Sequence, residues 1–309
     1  MTQKDERLVG NSFKLGYRFQ NYWGDSMAVA FFAAEVGTGL FLVSYYFDLV
    51  LGMILGVALA GTLKPYFHLA HMGVPGKSIR ALFRPDRSWI SRGAIAIGMF
   101  IVPAIFYILN ISGVFKFADV AGGLAILDTL AQYVAVLAGL VVITYQGFAM
   151  AHSESFTLWA SPLMPVSSAA YALTAGTLLT LIFGWGAVGE AGRSNLAQAA
   201  LLLLIIDFAL VKGILSGAKK KSKGGAFSVE LLLETQFAPK FRNMALVVGL
   251  IVPIAIMLVV VLLASDLWVG VILAAAAMLA GFMVFRMLMF KAAVFEPITH
   301  DIAGKFGLV

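Results

Sequence analysis

The sequence predicts an all-α integral membrane protein with eight transmembrane helices, divided into two four-helix bundles, with both termini on the same side. Of its 309 residues, 61% are hydrophobic and only 12% are charged, whereas a soluble domain carries about 25% charged residues. Apolar stretches of about 20 residues, the length that crosses a bilayer, recur along the chain, and short polar breaks separate them. These observations exclude a soluble globular protein.

Hydrophobic windows of about 19 residues locate the individual spans. An even number of spans places both termini on one side, with a polar N-terminal arm at 1–25, a long loop at 218–242 and a C-terminal tail at 291–309. In chain order, the spans are predicted at 26–47, 49–71, 94–115, 120–149, 165–187, 195–217, 243–264 and 267–290.

Lysine and arginine are distributed unevenly between the two sides. The termini and loops 2, 4 and 6 hold eighteen of them, counting Arg286, whereas the opposite side holds only Lys116 and Arg193. Because basic residues are retained on the cytoplasmic side, both termini are predicted to be cytoplasmic, in the inner (cytoplasmic) membrane of a prokaryote. The net charge of +6 is a property of these loops and does not indicate nucleic-acid binding.

The connection at 218–242 combines two patterns. The basic run 219–223 followed by glycines predicts a flexible loop, and the apolar segment 227–237, with Glu230 and Glu234 one turn apart, predicts a helix. That helix is expected to lie in the membrane interface or against a partner protein.

Ionisable residues inside spans are costly, and they commonly serve function or line a polar cavity. The candidates are Glu35, Lys64, Asp128 and Asp207. One interpretation is a proton relay, assigned here to Glu35 and Asp128. The alternative is that each carboxylate only joins neighbouring helices by hydrogen bonds.

The four histidines, His68, His71, His152 and His300, all fall near the predicted cytoplasmic ends of spans. A pair of transmembrane haems needs axial histidines toward both sides, so no haem is expected. A single haem or a mononuclear metal between His71 and His152 is a weaker alternative. The chain has no cysteine, which excludes an iron–sulfur cluster held by its own thiolates.

The same residues suit a quinone. Quinone reduction takes up two electrons and two protons, so its oxygens need partners that can donate protons, such as His, Tyr or Lys. Lys64, His68 and His71 share one end of the second span, and Tyr145 lies at the same end of the fourth. We expect these four side chains to converge on one cavity.

The stretch FHLAHMGVPGKSIRALFRPDRSWISRG at 67–93 contains a His-x-Gly-x-Pro turn, an Arg-Ala pair and a Ser-Trp-x-Ser-Arg segment. It resembles the NrfD-type family, the membrane subunits of polysulfide reductase and DMSO reductase complexes. The resemblance covers approximately residues 20–175 and includes Gly37-x-Gly39, Tyr145-Gln146-Gly147, Trp159 and Pro162.

The resemblance implies a quinone-binding subunit (menaquinone or ubiquinone) that holds no haem or metal. Its implied partners are the lipid bilayer and quinone pool, a ferredoxin-like iron–sulfur subunit, and a molybdopterin-type catalytic subunit with molybdenum or tungsten. It also implies that His71 and Tyr145 contact the quinone. The motif residues Trp89 and Arg92 complete the predicted quinone site, and the exposed arginines predicted to dock the partner are Arg80, Arg84 and Arg87.

The sequence departs from this pattern at Gly93, where relatives of the DMSO reductase type have a glutamate. The proton donor is therefore open among Glu35, Lys64 and Arg92, in that order of preference. Two other classes of function remain as alternatives: a secondary transporter of a small solute or ion, and a structural anchor without a quinone site.

Overall fold

In the computed structural model, which describes residues 17–114, 125–263 and 267–296, the chain is an all-α multi-pass membrane protein. Within these ranges eight helices are long and apolar enough to cross a bilayer, as predicted. They are α1 (Asp25–Tyr46), α2 (Val50–His71), α3 (Trp89–Ile111), α4 (Ala125–Ala151), α5 (Leu163–Phe183), α6 (Gly189–Lys221), α8 (Lys240–Leu262) and α9 (Trp268–Lys291). A shorter helix, α7 (Lys223–Glu234), connects α6 to α8. The predicted beginning of the fourth span at 120–124 lies outside the described residues.

The spans pack around two hydrophobic cores. The first core lies among α1, α2, α3 and α4, and the second lies among α5 to α9. The division into two four-helix bundles is therefore observed, with one qualification: α1 lines both cores, because Phe41 packs into the first and Phe31 into the second. Helix α1 is the central element of the molecule.

Glycines allow α1 to approach its neighbours closely. A Cβ atom at Gly37 would lie 2.6 Å from the carbonyl oxygen of Gly56 in α2, and one at Gly39 would lie 1.9 Å from that of Ala172 in α5. Neither distance leaves room for a side chain. The Gly37-x-Gly39 pair is thus a packing feature that joins α1 to both bundles.

The two ends of the described chain meet on one side of the membrane domain. Strand β1 (Arg18–Phe19) pairs antiparallel with β2 (Val294–Phe295), and Lys291 forms an ion pair with Asp25 at 2.8 Å. We call this side, on which α1 begins and α2 ends, the basic side. Residues 1–16 and 297–309 of the predicted arm and tail, with His300, lie outside the described residues.

The basic run 219–223 and the glycines after it, predicted to be flexible, are helical in the structure, and the helix predicted at 227–237 is present. Helix α6 continues through the lysine run to Lys221, whose Nζ donates a hydrogen bond to the carbonyl of Ala160. Helix α7 then begins after the cap Ser222 and buries Val229 and Leu232 in the second core. This helix packs on its own bundle because its apolar face meets the ends of the neighbouring helices.

Helix α8 begins as a π-helix over Lys240–Ile251 and continues as an α-helix over Val252–Leu262. Gly249 meets Gly281 of α9, and an added Cβ at Gly281 would lie 2.1 Å from the Gly249 Cα. The backbones of α8 and α9 are therefore in direct contact, which holds α9 and its side chains at a fixed height in the second bundle.

Candidate functional site

A cavity of about 440 Å³ lies toward the basic side of the first bundle. Its walls come from α1, α2, α3 and α4, and the 3-10 segment Pro75–Phe83 covers it. Most of the lining is apolar, and the polar exceptions are Lys64, His68, Ser78, Tyr145 and the indole of Trp23. This volume is within the range of about 300–1,000 Å³ that is typical of small-molecule sites.

Two polar atoms of the wall are buried without a hydrogen-bond partner among the described residues: Lys64 Nζ and His68 Nδ1. The Lys64 ammonium lies 4.5 Å from the ring centroid of Phe31 and 5.5 Å from that of Tyr145. These cation–π contacts offset part of the cost of burying the charge, but they leave its three N–H donors unsatisfied. Buried polar groups are nearly always paired, so the cavity is suited to a ligand that carries acceptor atoms.

The Tyr145 ring lies on the cavity wall and packs against α3 at Gly93, where the helix has no side chain. A Cβ atom at Gly93 would lie 2.0 Å from the Cε2 of the Tyr145 ring. The ring therefore occupies the space that any side chain at position 93 would need. The departure from the DMSO reductase pattern at this position has a physical consequence, since Gly93 creates the place where Tyr145 lies.

Behind Lys64, the span interior holds a buried ion pair. Arg286 of α9 donates from Nε to Glu35 Oε2 at 3.1 Å and from Nη2 to Glu35 Oε1 at 2.5 Å. Arg286 Nη2 also donates to Ser168 Oγ of α5 at 2.9 Å. Both charged side chains are fully buried.

The assignment of Arg286 to a basic loop is therefore wrong, because this arginine lies inside the membrane domain and is neutralised by Glu35. The burial of Arg286 was not predicted, although this residue falls within the predicted span 267–290, which was the one indication that it is buried. Its partner lies 251 positions away in the sequence, so no local pattern relates the two.

His71 lies one turn beyond His68 on α2, and its Nδ1 is 3.5 Å from Ser26 Oγ at the beginning of α1. It is half-buried but does not belong to the described cavity wall, whereas His68 does. The sequence predicts both histidines in one site with Lys64 and Tyr145. The structure brings three of these four side chains together on the wall.

Trp89 and Arg92 stabilise the beginning of α3. The Trp89 ring stacks on Phe148 of α4 with centroids 4.7 Å apart. Arg92 donates hydrogen bonds to the carbonyl oxygens of Pro85 and Asp86 and lies over the Trp89 ring. Neither side chain is part of the described cavity wall; these motif residues hold the turn that directly precedes α3.

The two remaining carboxylates of the spans are remote from the cavity. Asp128 lies 17 residues before Tyr145 on α4, which corresponds to about 25 Å along the helix. Asp207 of α6 is buried in the second bundle and accepts a hydrogen bond from Thr174 at 2.6 Å. The arginines predicted to dock a partner, Arg80, Arg84 and Arg87, are exposed on the basic side.

No protein-family model matches the chain. No curated protein matches it either. Its function is therefore inferred from the cavity and from the buried polar groups around it.

Chemically, the arrangement offers a largely apolar cavity with a few hydrogen-bonding groups on its wall. Lys64 donates, the Tyr145 hydroxyl donates or accepts, and the His68 ring does either according to its tautomer. All three groups can also exchange protons. The site thus contains the groups that would be required to bind an apolar ring and to transfer protons to its oxygen atoms.

Proposed function

We propose that this chain is the quinone-reactive membrane subunit of a multi-subunit oxidoreductase, and that the cavity binds the quinone head group. The observation that carries the proposal is the pair of unsatisfied atoms, Lys64 Nζ and His68 Nδ1, in an otherwise apolar cavity. A quinone ring is apolar on both faces and carries two carbonyl oxygens. These oxygens supply the acceptors that the wall lacks.

The reaction requires two electrons and two protons for each quinone reduced to quinol, and the reverse for each quinol oxidised. Lys64 hydrogen-bonds one carbonyl oxygen and favours the negative charge that develops there as electrons arrive. His68 and Tyr145 hold the ring and exchange protons with its oxygens. Exposed apolar side chains on the cavity wall, including Leu69, Ile79 and Ile90, give the isoprenoid tail a path to the lipid.

Electrons come from a docked partner, because the described residues offer no group of three or more metal-ligating side chains and the sequence lacks cysteine. We infer a ferredoxin-like iron–sulfur subunit joined to a molybdopterin-type catalytic subunit, as in the NrfD-type complexes that the 67–93 motif resembles. The exposed Arg80, Arg84 and Arg87 suit an acidic docking surface on the side of the cavity. From the positive-inside pattern we infer that this side is cytoplasmic.

The first test is Lys64→Met, with Lys212→Met as the matched control. Lys212 is also a lysine within a span, but its side chain is exposed on α6. Losing a hydrogen bond to a charged donor costs about 1.5–3 kcal/mol, so we expect decylubiquinone or menadione to bind roughly 10- to 100-fold more weakly. Binding is measured on the complex purified from its native membrane, and Lys212→Met is expected to bind normally.

The histidines provide a second test, because the motif singles out His71 and the geometry singles out His68. We expect His68→Gln to lower quinone affinity and quinol-dependent turnover more than His71→Gln does. His152→Gln, an exposed histidine on the same side, serves as the control. If Lys64→Met and His68→Gln both assemble and turn over normally, the cavity does not bind quinone and the chain is an anchor.

The partner is tested by purification of the tagged chain from a mild detergent extract. Co-purification of a protein with the absorption and electron paramagnetic resonance of iron–sulfur clusters is expected. Solute counterflow by the lone chain in liposomes, with no redox partner attached, would instead identify a transporter.

A further inference from the structure

Arg286 pairs with Glu35, and Lys64 lies over the ring of Phe31, which is one helical turn from Glu35 on α1. Both basic side chains are buried, and Glu35 supplies a single negative charge. Arg286 contacts both carboxylate oxygens, whereas Lys64 Nζ forms no hydrogen bond within the described part of the chain. Arg286 is thus fully paired, whereas Lys64 lies on the cavity wall with its N–H donors unpaired among the described residues. Which of the two cations pairs with Glu35 depends on the position of Arg286.

Three helices keep Arg286 in this position. The side chain starts on α9, reaches Glu35 on α1, and is held by Ser168 on α5. The guanidinium also lies 5.2 Å from the centroid of the Phe282 ring, one turn earlier on α9. A planar guanidinium matches both oxygens of a carboxylate at once, which an ammonium cannot do.

We propose that Arg286 is a positioning residue for the cavity: by occupying both oxygens of Glu35, it keeps the Lys64 amine unpaired and available to a carbonyl acceptor. Phe31, whose ring lies under the Lys64 ammonium, is one helical turn from Glu35 on α1. Without Arg286, the Glu35 carboxylate is unpaired and lies one helical turn from the ring that Lys64 contacts, so we expect the two to pair with each other. The amine is then withdrawn from the ligand. This inference rests on the proposed quinone site.

The test compares three variants of the purified complex by their affinity for decylubiquinone: Arg286→Met, Lys64→Met and the double variant Glu35→Gln/Arg286→Met. We expect Arg286→Met to lose about as much affinity as Lys64→Met, at least tenfold. The double variant is expected to recover to within about threefold of the wild type, because the neutral amide that replaces the Glu35 carboxylate no longer captures Lys64. In turnover, KM is expected to change more than kcat.

Glu35→Gln also relieves the uncompensated Glu35 charge and so restores stability, and affinity is therefore measured only on the folded, assembled complex. A loss of affinity in assembled Arg286→Met that the double variant reverses separates positioning from a structural role. Equal loss in Arg286→Met and in the double variant overturns the inference, as does wild-type affinity in Arg286→Met. If Arg286→Met fails to assemble, Arg286→Lys replaces it. Its ammonium leaves one Glu35 oxygen free for Lys64, so an intermediate loss is expected, again reversed by Glu35→Gln.

Lys64→Met distinguishes a failure of the proposed quinone site from a failure of the positioning role of Arg286 alone. Normal affinity in Lys64→Met contradicts the proposed quinone site itself. Reduced affinity in Lys64→Met without recovery in the double variant leaves that site in place and removes only the positioning role of Arg286.

Discussion

At the scale of single residues, the close packing of Tyr145 on Gly93 determines where the Tyr145 ring lies. The Tyr145 ring fills the volume next to the Gly93 Cα, and its centroid lies 5.5 Å from the Lys64 ammonium. Any side chain at position 93 pushes the ring away from α3. The position of the Tyr145 ring, which we propose contacts the ligand, is therefore set by the absence of a side chain on the neighbouring helix.

We expect Gly93→Ala to weaken quinone binding by roughly tenfold and to destabilise the protein by about 1–3 kcal/mol, the usual cost of overpacking. Gly98→Ala is the matched control, because Gly98 is on the same helix and its added Cβ meets no atom within 4 Å. Affinity for decylubiquinone and thermal unfolding in detergent measure the two effects. Restored stability in Gly93→Ala/Tyr145→Ala would assign the cost to the ring, and equal behaviour of the two single alanine variants would contradict the prediction.

The buried ion pair leads to a prediction about stability. Removing one partner of a buried pair leaves an uncompensated charge and costs about 3–5 kcal/mol, whereas removing both costs less. Arg286→Met is therefore expected to lower the unfolding temperature more than Glu35→Gln/Arg286→Met does. A melting experiment in detergent tests this directly, and a double variant less stable than the single one would show that the pair is not the source of the effect.

Single residues are also where prediction from sequence was weakest. His68 and His71 differ by one turn on a helix that is apolar around most of its surface, so periodicity cannot say which of them faces the first bundle. Contact with Ser26 of α1, a tertiary feature, sets the environment of His71. Lys64 and Tyr145 do line one cavity, which was predictable because each lies near the same end of a long apolar segment.

At the scale of elements, the spans were predictable because the requirement is local: about 20 apolar residues without a charge-rich break. The exact boundaries of the spans were less predictable. Helix α6 runs from Gly189 to Lys221, well past the predicted 195–217, because helical hydrogen bonds continue into the polar ends where hydropathy no longer reports them. Helix α7 was found as a helix, but its burial depends on the second core, which involves residues far away in the sequence.

The crossing of α1 and α5 depends on glycine. An added Cβ at Gly39 meets backbone atoms of Ala172, which cannot rotate away as a side chain can. We expect Gly39→Ala to destabilise the protein by about 3 kcal/mol, at the upper end of the overpacking range, and to reduce its yield in the membrane. Gly217→Ala in α6, where nothing lies within 4 Å of the new atom, is expected to unfold like the wild type. Equal unfolding temperatures for the two variants would mean that the helices can separate at little cost.

At the scale of the whole molecule, α1 connects the two bundles mechanically and electrostatically. It carries Glu35, which pairs with Arg286 of the second bundle, and Phe31, whose ring Lys64 of the first bundle contacts. Under the positioning role proposed for Arg286, the charge available in the cavity depends on a side chain of the other half. The cavity lies in the first bundle, whereas the buried charged side chains Lys64, Glu35 and Arg286 come from both bundles.

Sidedness is a property of the whole molecule, and the absence of cysteine makes it directly measurable. Lys77 is exposed between α2 and α3 on the basic side, and Ala187 is exposed between α5 and α6 on the opposite side. We expect Lys77→Cys to react with a membrane-impermeant maleimide in inverted vesicles and to be protected in right-side-out vesicles. Ala187→Cys is expected to show the reverse pattern, and detergent should expose both. The opposite result would place the cavity and the exposed Arg80, Arg84 and Arg87 outside the cytoplasm, and with them the partner that we propose exchanges electrons with quinone.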